Sequence, residues 1–475
     1  MIPHSSRTPK SPLKPVRKYR FGYNRAYFRE LSKLATPIIL QGLAAASLNV
    51  VGTIMIGQKG DVAVAAVGLA GQMFFLLTLA VFGIASGSAI FTAQLWGKQD
   101  THNIHRVLGL TLALALLAGG VFFLLAELFP TQVMALYSND PAVVKLGSAY
   151  LRIYGLSFLF FAVTTSYSTV LRSIGNVRMP MIVSSLALVL NTLLSYCLIF
   201  GKLGLPAMGV TGAAIAIVIS RILECAGIVA ATHLTHSPVA ARLKEILDFD
   251  WSFILRVLKP VLPVALNEVL WSLGITTYNA IYAHIGTESI AAINMVSTIE
   301  NLAWAFMNGI SLSTAVMVGH RIGRGEEEQA YQTAGLSLGI AGSTGVLVGG
   351  IALLGGGSIL ALFNVSPIVL GNAHRLLTVF GLILWVRAMN ATIVLGVLRA
   401  GGDTRFSLFL DGIIIWMVGV PLAALGVFAF HLPVQWVYLL AMSEEVTKWC
   451  LGMRRYFSRK WIHNLTHALK PAGGA

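Results

Sequence analysis

Apolar runs of about 20 residues recur along the whole chain, separated by short polar joints, and that is the length a helix needs to cross a bilayer. They predict about twelve spans, near 33–57, 66–95, 106–129, 147–171, 178–200, 208–233, 258–283, 290–320, 333–355, 373–398, 406–430 and 433–452. The seventh holds an anomaly. Its stretch "LPVALNEVLWSLGITTYNAIYA", Leu262 to Ala283, carries an acid, Glu268, near its middle, where no water would solvate it.

Composition agrees with the pattern. Of 475 residues, 56 % are hydrophobic and only 11 % charged, where soluble proteins are about a quarter charged. Cys197, Cys225 and Cys450 fall inside or near spans and read as small apolar fillers; no disulfide framework or CxxC metal site is visible.

Charge then orients the chain. Residues 1–32 carry Arg7, Lys10, Lys14, Arg17, Lys18, Arg20, Arg25 and Arg29 among several prolines. They read as a basic tail drawn to anionic lipid on the cytoplasmic side, and not as a signal peptide, for want of a short apolar segment with a cleavage site. The even-numbered joints carry Lys98 and Arg106, Arg172 and Arg178, Arg242 to Lys259, Arg321 and Arg324, and Arg399 and Arg405; the odd-numbered ones carry only Lys59, Lys145, Lys202 and Arg375. That bias puts both termini in the cytoplasm. It also accounts for the net charge of +15 without nucleic acid as a partner.

The chain repeats itself at a shift of about 226 residues. Pro37 falls on Pro263, Gly60 on Gly286, "GIASGSAIFTAQLWGK" (83–98) on "GISLSTAVMVGHRIGR" (309–324), and "ALYSNDP" (135–141) on "ALFNVSP" (361–367). With one added residue, "LRSIGNVR" (171–178) falls on "LRAGGDTR" (398–405). Six spans per repeat make both halves enter from the same side, so a pseudo-twofold along the membrane normal should relate them. The expected fold is an all-α integral membrane protein of twelve transmembrane helices in two six-helix bundles. Its parts are a tail (1–32), an N-terminal bundle (33–233), a linker (234–257) read as an interfacial helix, a C-terminal bundle (258–455) and a cytoplasmic C-terminal tail (456–475).

Several stretches carry a resemblance. "PIILQGLAAASLNVVGTIMIG" (37–57), "FGIASGSAIFTAQLWGK", the "LRSIGN" and "LRAGGDT" pair and "MGVTGAAIA" (208–216) resemble the multidrug and toxic compound extrusion family, in order, from about residue 30 to 465. The resemblance implies an antiporter of the inner membrane that expels amphipathic, often cationic, organic compounds in exchange for Na⁺ or H⁺, a monomer among lipids. Many relatives carry an Asp where this chain has Gly52, those with a cation site in the N-terminal half also an Asn–Asp pair where it has Asn191 and Ser195, and some an Asp where it has Ala388; these last place the seventh-helix Glu at the position of Trp271. Glu268 sits one turn earlier.

No GxxxxGK[ST] or HExxH occurs, so neither a nucleotide site of that type nor metalloprotease chemistry has support, no enzyme is expected and no cofactor is implied. A pump without a nucleotide site needs an ion gradient, hence a titratable group inside the membrane. Glu224 is three residues after Arg221, and Glu444 four before Lys448, so helical ion pairs account for both. Asp411 lies about two turns from Arg399 to Arg405, and Glu300 adjoins Asn301. Glu268 has no basic residue within two turns on its own helix. An unpaired buried carboxylate must be protonated, ion-bound or facing water, so Glu268 is the expected coupling group and the place where Na⁺ could bind. Tyr278, Asn279, Asn294 and Asn390 are its expected supports, with Asn191, Asp411 and Glu300 as further candidates. A lipid-linked oligosaccharide flippase is the runner-up. It would want a basic cavity, and only Arg221, Arg387 and Arg152 read as basic residues well inside spans. A channel is the third reading.

Overall fold

The computed structural model describes residues 25–361 and 365–469. Residues 1–24 of the expected tail and 470–475 lie outside the described residues. The helices are α1 (Arg25–Gly57), α2 (Asp61–Gly97), α3 (Thr101–Leu128), the short α4 (Pro130–Ala135), α5 (Pro141–Gly155), α6 (Ser157–Ser173), α7 (Arg178–Phe200), α8 (Gly209–Leu234), the single turn α9 (Leu243–Ile246), α10 (Trp251–Ala283), α11 (Thr287–Gly323), α12 (Glu327–Leu360), α13 (Pro367–Arg399), α14 (Thr404–Ala429) and α15 (Val434–Phe457). No strand occurs among the described residues.

Nine of these are long and apolar enough to cross a membrane. A tenth span is the pair α5 and α6, bent by 44° at their junction. The remaining two, α10 and α15, are of crossing length but carry Glu268 and then Glu444, Glu445 and Lys448 along their middles. The last turns of α13, Thr392–Arg399, widen to π-helical geometry, as do parts of α14, a distortion that tends to mark functional sites.

The repeat is visible in the boundaries. α1 and α10 each have 33 residues, α2 and α11 each have 37, and their ends match at the same shift of 226. Gly175 and Gly402 close the two equivalent loops at φ of 92° and 82°, a left-handed conformation that glycine adopts without strain. Each half has its own apolar core, around Leu77, Leu151 and Phe158 in one and Phe380, Leu384 and Val437 in the other.

Three expectations are corrected. The linker is not an interfacial helix: between Leu234 and Trp251 only Leu243–Ile246 is helical. The rest turns back onto α3, where Arg106 bonds the Asp248 carbonyl and Asp250. The division near residue 257 is also not a boundary in space. The start of α10 packs Phe253, Val257 and Val261 into the core of the N-terminal half, and the start of α1 reaches the other half through Tyr27 to Ser337 and Glu30 to Arg321. Finally, the segment after α15 is a strap and not a free tail. Trp461 is fully buried, the Asn464 amide donates to the Ile322 carbonyl at 3.0 Å, and the Leu465 N–H donates to Gln94 Oε1 at 2.8 Å.

The halves meet closely at the end that carries the basic joints. Gly97 lies against the His320 carbonyl and its repeat equivalent Gly323 against the Gln94 carbonyl, with no room for a Cβ at either. Further along, Gly83 lies against Ala265 and Gly309 against Ile39. Absence of side chains lets backbones approach, the usual device for packing helices in lipid.

Candidate functional site

The two prolines of α10, Pro260 and Pro263, precede its polar face. Asn267, Glu268, Ser272 and Tyr278 are all buried there. Glu268 is not an unpaired acid. Its carboxylate accepts from Arg399 Nη2 at 2.7 Å, across 131 residues of chain. Arg399 also donates to Ser86 of the other half and to Ser407. Arg399 therefore does not stand in an exposed polar joint, where the charge pattern placed it; it is 2 % exposed.

From Asn267, beside Glu268, the network continues. Its amide donates to Asp411 at 2.9 Å. Asp411 pairs with Lys448 at 3.3 Å, and Lys448 pairs with Glu444 at the same distance. The expected pair four apart on α15 is present, but Lys448 is shared. Asp411 takes this lysine and not an arginine of the Arg399 to Arg405 loop. The second Glu444 oxygen and the Tyr278 hydroxyl are buried without a hydrogen-bond partner. Both crowd Gly419, where a Cβ would strike them.

A second cluster repeats that arithmetic. Arg387 bonds Glu300 at 3.0 Å and lies 3.7 Å from Glu445. Tyr438 donates to Glu300, and the Asn390 amide donates to the Glu445 side chain at 2.7 Å. In both clusters two carboxylates share one cation.

Of the expected residues, the structure joins Glu268 and Asp411 in one network and Glu300 and Asn390 in the other, with Tyr278 beside Glu444. Asn279 and Asn294 stand exposed and outside both; one position past Tyr278 turns a side chain about 100° off the buried face. Asn191 lies apart, on α7 in the N-terminal half, its Oδ1 buried without a partner. Arg221 holds Glu224 at 2.8 Å, as the spacing predicts.

Between the halves is a cavity of about 120 Å³, lined by α1, α2 and α6 from one half and α11 and α13 from the other. Its charged lining residues are Arg172 and Arg399, the same position in the two repeats. Sequence reading placed no arginine here. The signal that could have found them was the repeat itself, which keeps an arginine before both loops.

The sequence model of the MatE family matches residues 37–197 and 263–425, once in each repeat. The probable multidrug resistance protein NorM of Thermotoga maritima is 25 % identical over 433 residues, covering 91 % of this chain and 93 % of that one. The probable multidrug resistance protein YoeA of Bacillus subtilis is 26 % identical over 405 residues, covering 83 % and 86 %. Two solved structures share the fold at 19 % identity. One is a MOP superfamily transporter from Pyrococcus furiosus with a binding pocket of reverse polarity, at a TM-score of 0.83 over 94 % of this chain and 97 % of that one. The other is an outward-facing multidrug resistance transporter of the MATE family, at 0.82 over 91 % and 97 %. With both repeats matched, this chain belongs to the MatE family of multidrug and toxic compound extrusion transporters and is a multi-pass membrane protein of twelve helices in two bundles.

Proposed function

We propose that the protein exports small organic compounds by alternating access, driven by inward movement of H⁺ or Na⁺ through the carboxylates of its C-terminal half, with both termini in the cytoplasm. One observation carries the coupling. Asp411 and Glu444 share Lys448, and Glu300 and Glu445 share Arg387. Each cluster has one carboxylate in excess, inside the membrane. Uncompensated charge there is costly, so a proton or metal cation must accompany it. Glu444 has the free oxygen, and the Tyr278 hydroxyl stands beside it.

The tight contacts at the basic end describe one of two arrangements of the halves. With the basic joints inside, it is the arrangement closed to the cytoplasm. Ion and substrate exchange because each stabilises a different arrangement. The test is efflux from proteoliposomes under an imposed H⁺ or Na⁺ gradient. Wild-type protein should pump uphill under one gradient, and Glu444→Gln should lose the gradient dependence. Passive leak without counterflow would mean a channel and end this reading.

A further inference from the structure

The inter-half cavity has a charge that the network does not balance. Arg399 is matched by Glu268. Arg172, its repeat equivalent, has no ion pair among the described residues. Its Nη2 donates to Gln41 of α1 at 3.1 Å, and its Nε–H is buried with no acceptor. The buried acid of that half, Glu224, is held by Arg221. No acid lines the cavity, while the hydroxyl residues Ser86, Thr165, Thr169 and Ser173 do. A guanidinium stays charged at any accessible pH and presents a planar fork of donors that fits a carboxylate, sulfonate or phosphate. Leaving that fork unfilled inside a membrane protein is unfavourable.

We propose that this cavity binds the acidic group of a small organic anion, with the carbons next to it, through Arg172, with the Thr165 and Thr169 hydroxyls as further donors and the rest of the molecule outside the cavity. The substrate class follows from the wall: an unpaired cation facing a cavity without a carboxylate repels cationic compounds and holds anionic or zwitterionic ones. The inference rests on the export reading for what happens next, but not for binding itself.

Fluorescein and rhodamine 123 share a ring system and differ in charge, so they isolate the point. Binding of each is measured to the full chain in phosphatidylcholine nanodiscs. Fluorescein should bind wild-type protein at least about tenfold more tightly than rhodamine 123. Arg172→Gln should remove that preference and Arg172→Lys keep part of it, both at wild-type thermal stability. Equal or tighter binding of rhodamine 123 by the unaltered protein overturns the proposal, and needs no variant. So does unchanged fluorescein binding in Arg172→Gln. Displacement of fluorescein by added phosphatidylglycerol would also overturn it, assigning the fork to a lipid headgroup. Gradient-driven efflux separates the two readings. Arg172-dependent binding without fluorescein transport leaves the site and removes the exporter; rhodamine 123 export indifferent to Arg172 does the reverse.

Discussion

Gln94 and His320 occupy the same position of the two repeats and make the same bond in opposite directions. The Gln94 amide, in the N-terminal half, donates to the Ala400 carbonyl at 3.0 Å. The His320 Nε2, in the C-terminal half, lies 2.7 Å from the Ser173 carbonyl. A carbonyl only accepts, so His320 carries its proton on Nε2. Ala400 and Ser173 are themselves repeat equivalents, each following its cavity arginine. The pseudo-twofold therefore passes through a pair of reciprocal cross-half bonds, flanked by the Gly97 and Gly323 contacts and covered by the strap after α15.

Breaking both bonds should loosen the basic end. A buried neutral hydrogen bond contributes about 1 kcal/mol, so Gln94→Leu with His320→Leu should shift the balance of arrangements by roughly tenfold or more. A cysteine at Ala89, on the cavity wall, reports the shift in a background lacking Cys197, Cys225 and Cys450. Its labelling from the basic side should rise several-fold. Unchanged labelling would mean that the glycine contacts alone hold this end.

Topology has its own test. Lys59 and Lys202 are exposed at one end of the helices and Lys98 and Arg178 at the other. Cysteines at the first two should react with an impermeant thiol reagent added outside intact cells, and those at the second two should not. The opposite pattern would invert the protein and the direction of transport.

The spans were legible because their length is a property of sequence alone, and the duplication because matching boundaries follow matching residues. Arg221 with Glu224 and Lys448 with Glu444 were legible because pairs three or four apart share a helix face. What stayed hidden depends on which helices meet. Glu268 seemed alone because its partner is on α13 and 131 residues away. Arg399 seemed one of the exposed charges of a polar joint because a glycine turn follows it. Trp461 seemed part of a polar tail, although it is fully buried where the strap crosses between the halves.

The N-terminal half carries no acid at Gly52 or Ser195, and half-buried Asn191 has its Oδ1 buried without a hydrogen-bond partner. Asn191→Ala should lower expression or binding modestly, about 1 kcal/mol or less in stability, and leave the gradient dependence of efflux in place. Loss of that dependence at normal protein levels would move the coupling site into this half.

Glu444→Gln and Lys448→Met should differ in sign on stability. Glu444→Gln removes an excess carboxylate and leaves Lys448 paired with Asp411, so thermal unfolding in detergent should stay within about 1 kcal/mol of wild type or rise. Lys448→Met strands two buried carboxylates and should cost roughly 3–5 kcal/mol. Both should lose coupled efflux. A Glu444→Gln protein as unstable as Lys448→Met would show that Lys448 needs both acids, and that neither is in excess.

Glu268 and Arg399 call for a double variant. Glu268→Gln alone leaves a guanidinium buried without its counter-charge, which costs roughly 3–5 kcal/mol, so loss of transport in that protein has two explanations. Arg399→Gln alone has the mirror defect. Together the two neutral side chains can bond each other, and most of the lost stability should return, because the pair is absent as a whole. Coupled efflux should not return with it. The pair joins the cavity, through Arg399 and Ser86, to Asp411 and Lys448, through Asn267, and neutral amides carry no charge along that path. Glu268→Asp keeps the charge with a shorter reach and should retain partial function. The measurement is gradient-driven efflux from proteoliposomes at matched protein, beside unfolding temperatures for all four variants. Wild-type coupling in the double variant would reduce Glu268 and Arg399 to a strut between helices and leave the Lys448 and Arg387 clusters to carry the ion.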